Sequence, residues 1–342
     1  MIKLYQQLVE RLEKIDFNSL WSGFKPIKFA LYDDASVYFE NEVFARDDHF
    51  IGNTAISFRG EYIAIWYIDQ ETIDLDELAS KIIHEMFHGF QLINNENRFP
   101  NEITEGLDYH YTKDNLSLKY EENKILLNLY HDFNVQDYNQ FLSYRKYRQQ
   151  QFKHEFNYET KVEVIEGMAE YIELKALKQF NQKKYQETIE AIMEKVNHPA
   201  RLLPIRTICY HIGALFLLIC DQNKISFYHE IGKTKETLFE LLSKEIEYQE
   251  IKTESNIIIA KLINEYYQEL QKTIQHFLTQ ANHQIVGPFK ICGLDPQNTK
   301  KYNQYVYCKH FINYLSDEGS QFLAQPCILE VNEELLINKI IY

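Results

Sequence analysis

The sequence predicts an α+β fold, mainly α, with a small N-terminal β-sheet, a helical body and a small C-terminal β-rich appendage. Three observations predict it. Short apolar-rich runs between residues 26 and 70 suit strands, and Arg59-Gly60 falls between the last two as a hairpin turn would. From Asp74 to about residue 280 the apolar residues recur almost throughout at helical spacing. After Asn282, Gly287-Pro288, Gly293 and Asp295-Pro296 break the chain into short runs. The expected divisions are 1–72, 73–284 and 285–342.

Residues 1–16 alternate apolar and charged side chains as an amphipathic helix does, without the unbroken apolar core of a signal peptide. The expected strands are Ile27–Tyr32, Thr54–Phe58 and Tyr62–Ile68. Asp74 is the expected N-cap of the first body helix, with Glu77 three residues on as in a capping box. Near the C-terminus, Gln304–Tyr307 and Cys327–Val331 read as strands. No internal repeat or low-complexity tract is present.

Composition excludes several classes. With 342 residues, 45% of them hydrophobic, the chain can bury a sizeable core, and 11 Gly and 7 Pro are too few for a collagen-like or disordered chain. A formal charge of −14 argues against nucleic acid and anionic membrane as partners. The five cysteines, at 209, 220, 292, 308 and 327, are odd in number and form no Cys-x-x-Cys. They read as buried free thiols in a reducing, cytoplasmic setting. The longest apolar stretch, Ile205–Cys220, carries Arg206 and His211 and is short for a bilayer span.

The motif that carries chemistry is His84-Glu85-Met86-Phe87-His88. Histidines four apart on a helix differ by about 40° in projection, so both imidazoles can reach one ion. Glu85 points about 100° from His84, where it can act on water beside the ion without ligating it. Leu75, Leu78, Ala79, Ile82, Ile83, Met86, Phe87 and Phe90 form one apolar stripe. His84 and His88 lie opposite it, near Lys81 and Gln91, and are expected to face a polar cleft.

Catalytic zinc usually keeps three protein ligands and an open position. Glu166 is the stronger third candidate, in a helix whose polar side carries Glu159, Glu163, Glu166, Glu170 and Glu173. Like charges at spacings of three and four repel, so such a row calls for a cation or for Arg and His partners. Glu163 or Glu170 could orient a ligating histidine through its second ring nitrogen. Gly167, costly in a helix interior, suggests close approach of another helix. Glu105, 17 residues after His88 and again before a glycine, is the weaker candidate.

These segments resemble the gluzincin class of zinc metallopeptidases. Glu166-Gly167-Met168-Ala169 is similar to the Glu-Gly-x-Ala segment that carries the class's third ligand. Tyr210-His211-Ile212-Gly213-Ala214 is similar to its Tyr-x-x-Gly-Ala stretch, whose tyrosine steadies the tetrahedral intermediate. The likeness spans three short segments within residues 75–215, with more chain between His88 and Glu166 than compact members have. No Gly-x-Met-x-Asn exopeptidase signature precedes the motif. The resemblance implies a zincin-like catalytic domain and hydrolysis of a peptide or protein substrate. It implies Zn²⁺ on His84, His88 and Glu166, Glu85 as general base, and Tyr210, or its neighbour His211, at the oxyanion. The rival expectations are a catalytically silent metal-binding or regulatory protein, and a helical protein whose histidines are ordinary surface residues. Serine-hydrolase chemistry lacks its Gly-x-Ser-x-Gly.

Overall fold

Two sheets with separate cores flank a helical body in the computed structural model, which describes residues 1–69, 74–228, 230–252 and 256–342. The division expected at 72/73 lies outside the described residues. The chain opens with α1 (Ile2–Leu12), which stops short of the predicted residue 16 because Asp16 caps a separate turn, α2 (Phe17–Leu20).

The first sheet has five strands: β1 (Phe29–Tyr32), β2 (Ser36–Phe39), β3 (Glu42–Ala45), β4 (Thr54–Phe58) and β5 (Glu61–Tyr67), in the order β3-β2-β1-β5-β4. The β4–β5 hairpin forms as predicted, turning on Arg59 and Gly60, both at positive φ. The β2–β3 hairpin is an addition to the sequence expectation; its outer strand is largely exposed and so carries a weak pattern. β1 and β5 pair in parallel, which leaves β4 as one edge of the sheet.

The helical body begins with α3 (Leu75–Ile93). Asp74 caps it, accepting from the amides of Asp76 and Glu77. The predicted box is only half used, since the Glu77 carboxylate instead accepts from Lys184 Nζ at 3.1 Å. A π-helical turn (Glu102–Gly106) leads to α4 (Lys113–His131) and α5 (Val135–Gln151). Then α6 (Lys153–Val162) runs through a second π-helical turn (Glu163–Gly167) into α7 (Met168–Phe180). Next come α8 (Gln182–Asn197), α9 (Ile205–Gln222), the short α10 (Leu238–Leu242) and the long α11 (Ile257–Gln280). By length and composition α9 is apolar enough to cross a membrane, and 78% of it is buried inside the body.

Seven strands close the chain: β6 (Gln284–Leu294), β7 (Thr299–Tyr302), β8 (Tyr305–Cys308), β9 (Ile312–Ser316), β10 (Gly319–Leu323), β11 (Cys327–Val331) and β12 (Leu336–Ile341). All their pairings are antiparallel, in the order β10-β9-β6-β12-β11-β8-β7. Leu107 joins the core of this sheet, and Leu270 and Ile274 of α11 pack on Ile328. The Lys301 Nζ–Asp108 bridge at 2.8 Å pins it further. Four cysteines are buried free thiols as expected. Cys292 is exposed, because it falls on the outward-facing register of β6.

Candidate metal centre

α3 lies between the first sheet and α7. The apolar stripe enters the core. The opposite side lines a cleft of about 1280 Å³ bounded by α3, α7, α8, α9, the edge strand β4 and the β6–β7 turn. His84, Glu85 and His88 all line it. The histidine side chains are only 11% and 14% exposed, which rules out two ordinary surface residues.

Both imidazoles are oriented from behind. His84 Nδ1 lies 3.0 Å from Glu173 Oε2, and His88 Nδ1 lies 2.9 Å from Gln91 Oε1. Gln91 is fully buried, and its Nε2 donates to the Ile165 carbonyl at 3.1 Å. That bond fixes the amide so that its oxygen faces His88. Each Nδ1–H therefore donates, so a neutral imidazole at either position presents its Nε2 lone pair to the cleft.

Glu166 meets those two atoms. Its Oε2 is 3.3 Å from His88 Nε2 and 3.7 Å from His84 Nε2. A charge-assisted hydrogen bond would be about 2.7–2.9 Å. Ligands about 2.0–2.2 Å from one tetrahedral ion sit about 3.3–3.6 Å apart. The His88–Glu166 spacing falls in that range and the His84–Glu166 spacing just beyond it, both longer than a charge-assisted hydrogen bond, and two imidazoles with one carboxylate are a donor set that zinc can take. Glu105, the weaker candidate, is elsewhere: its carboxylate takes Lys161 Nζ at 2.5 Å and the Asn101 amide.

The electrostatics favour positive charge here. Burial opposes charge on His84 and His88, but neighbouring carboxylates outweigh it and raise both above the ordinary histidine value. Burial likewise opposes charge on Glu166, yet the histidines and Arg206 hold it well below the usual carboxylate range. For Glu85, burial wins over the two histidines and pushes its pKa up, the direction a general base at neutral pH needs.

The glutamate row divides in two. Glu166, Glu170 and Glu173 line the cleft. Glu159 and Glu163 instead enter a buried ion cluster with Lys119, Glu122, Arg145 and Arg148, every member at most 5% exposed. Three cations balance three carboxylates there. Glu159, Glu163 and Cys209 also cluster within 4.8 Å, but both carboxylates are engaged by Arg and Lys, and burial keeps the thiol protonated. Glu173 therefore orients His84, in place of the expected Glu163 or Glu170. Glu170 bonds His211 Nδ1 at 2.9 Å, and among the described residues the buried His211 Nε2 has no partner.

The π-turn that presents Glu166 is clamped from two sides. Arg145 Nη2 holds Glu163 at 2.5 Å. On the other side α9 crosses at Gly213, where a Cβ on Gly167 would lie 2.6 Å from Gly213 Cα. The close approach expected at Gly167 is thus present, and it needs glycine in both helices.

Arg206, absent from the sequence-level candidates, links the remaining parts. Its Nη2 reaches Glu166 Oε1 and its Nε reaches Glu102 Oε1, each at 3.0 Å, while Nη1 donates to the Tyr210 hydroxyl. The only sequence signal was a charge inside an apolar helix. Tyr210 lines the cleft, and its hydroxyl also accepts from Gln297 Nε2 at 3.1 Å. Comparisons with protein-family models, with curated proteins and with solved structures find no match.

Proposed function

We propose that this protein is a zinc-dependent metallohydrolase with a zincin-like catalytic region, acting on peptide or protein amide bonds. The observation that carries the reading is the convergence of His84 Nε2, His88 Nε2 and Glu166 Oε2 at ligand spacing on the wall of a large cleft. These three residues would hold the metal, with Glu173, Gln91 and Arg206 fixing their orientation. Held there, zinc would supply Lewis acidity for an amide carbonyl and for water.

The chain's own groups account for the rest. Glu85 accepts the proton of the attacking water and returns it to the leaving amine. Tyr210 donates its hydroxyl proton to the oxygen that gains negative charge. His211, held by Glu170, stands beside it as a second candidate donor. Among the described residues β4 is an edge strand, and it runs along the cleft at Thr54 and Ala55, where an extended peptide could add as a further strand.

The test is Glu85→Gln in zinc-loaded protein, assayed on a fluorescence-quenched peptide library. Turnover should fall by roughly 10²–10⁴ while zinc content stays at one equivalent. Full activity with metal still bound would refute the mechanism. Zinc binding without turnover by the wild-type chain would favour the silent, regulatory alternative.

A further inference from the structure

The C-terminal sheet reaches the cleft through its β6–β7 and β8–β9 connections. Leu294, Asp295, Pro296, Gln297 and Asn298, joined by His310, form part of its wall, some 200 residues along the chain from His84 and His88. The β6–β7 turn is rigid. The Asp295 carboxylate accepts from the amides of Gln297 and Asn298 at 3.0 and 3.3 Å and from Asn298 Nδ2 at 2.9 Å. His310 Nδ1 lies 2.6 Å from the same carboxylate. Gln297 is itself exposed, and its side chain spans the gap to the Tyr210 hydroxyl at 3.1 Å.

A phenol has one proton to donate and two lone pairs to accept with. Arg206 has no acceptor, so Tyr210 accepts from it, and Gln297 Nε2 occupies the second lone pair. The phenol proton is then left for a group in the cleft. We infer that the C-terminal sheet is a working wall of the site, and that Gln297 is a positioning residue committing Tyr210 to donate. This rests on the hydrolase reading above.

Two variants separate polarity from shape. Gln297→Glu keeps the size of the side chain but replaces the donor with an acceptor, which takes the phenol proton. Gln297→Ala merely vacates one lone pair. The probe is a phosphinic tripeptide, whose tetrahedral anionic oxygens accept hydrogen bonds, titrated by calorimetry into the zinc-loaded full chain. Zinc stoichiometry is measured in every variant.

Gln297→Ala should weaken binding by up to about tenfold, and Gln297→Glu by about 10²-fold, close to Tyr210→Phe. In turnover of the peptide library, Gln297→Glu should lower kcat with KM little changed. If Gln297→Glu binds the probe as wild type does, or loses no more than Gln297→Ala, the positioning role is overturned. A wild-type chain that takes up no zinc, or takes it up and ignores the probe, refutes the hydrolase reading itself and this inference with it.

Discussion

Replacing Arg145 with methionine removes the cation that ties the ligand-bearing turn to the interior, and the cost can be worked from the structure. The guanidinium is fully buried, with Nη1 at 3.1 Å from both Glu122 Oε1 and Glu163 Oε1 and Nη2 at 2.5 Å from Glu163 Oε2. Without it the cluster passes from balanced to one net negative charge, and among the described residues Glu163 keeps Lys119 alone, at 3.5 Å. Breaking a buried pair from one side costs about 3–5 kcal/mol. Urea denaturation of wild type and Arg145→Met at pH 7 measures the loss, and a value under about 1 kcal/mol would refute the reasoning.

Other outcomes follow from the same geometry. Glu173→Gln leaves an acceptor for His84 but removes its charge, so zinc affinity should fall about 10–100-fold in a chelator competition with the fold intact; unchanged affinity would remove Glu173 from the site. Gly213→Ala places a Cβ 2.6 Å from the Glu163 carbonyl and 2.9 Å from Gly167 Cα, both backbone atoms that cannot swing away. A loss of about 1–3 kcal/mol is expected, and an unchanged Tm would show that the helices can part freely. Acid should act through Glu122, where burial opposes ionisation but Arg148, Lys119 and Arg145 prevail and hold the pKa at about 2. Its folded value lies below the unfolded one, so its contribution is present above about pH 4.5 and disappears between there and pH 2. A denaturant midpoint that stays level across that window would contradict the assignment.

Much of the site was legible because it obeys helical spacing. Asp74, the apolar stripe and the two histidines belong to one regular helix, and their mutual placement follows from about 3.6 residues per turn. Gly167 was readable from its own cost, which a close neighbour explains. What failed was phase. A π-turn at Glu163–Gly167 inserts itself into the helix that carries the glutamate row, so a wheel drawn at 100° per residue cannot say which carboxylates meet the cleft. Glu173 rather than Glu163 or Glu170 therefore reaches His84. Gln91 and Arg206 escaped for another reason: each has a partner within one helical turn, but what fixes its orientation is a second partner 74 or 40 residues away, which no local pattern encodes. Gln297 is the extreme case, meeting its partner 87 residues away across the junction of two cores.

The buried ion cluster also constrains how the chain can assemble. Its six charges lie on α4, α5 and α6 and the following turn, while the rings packed around Arg145 include Phe216 of α9 and Phe239 of α10. A partly built body would hold those charges in a half-dry environment with neither water nor a full set of partners around them. Such an intermediate is disfavoured, so the five helices should dock in one cooperative step. The ligand-bearing turn is then either complete or absent, and truncation before Phe239 should yield an unfolded chain rather than a smaller protein with a working site.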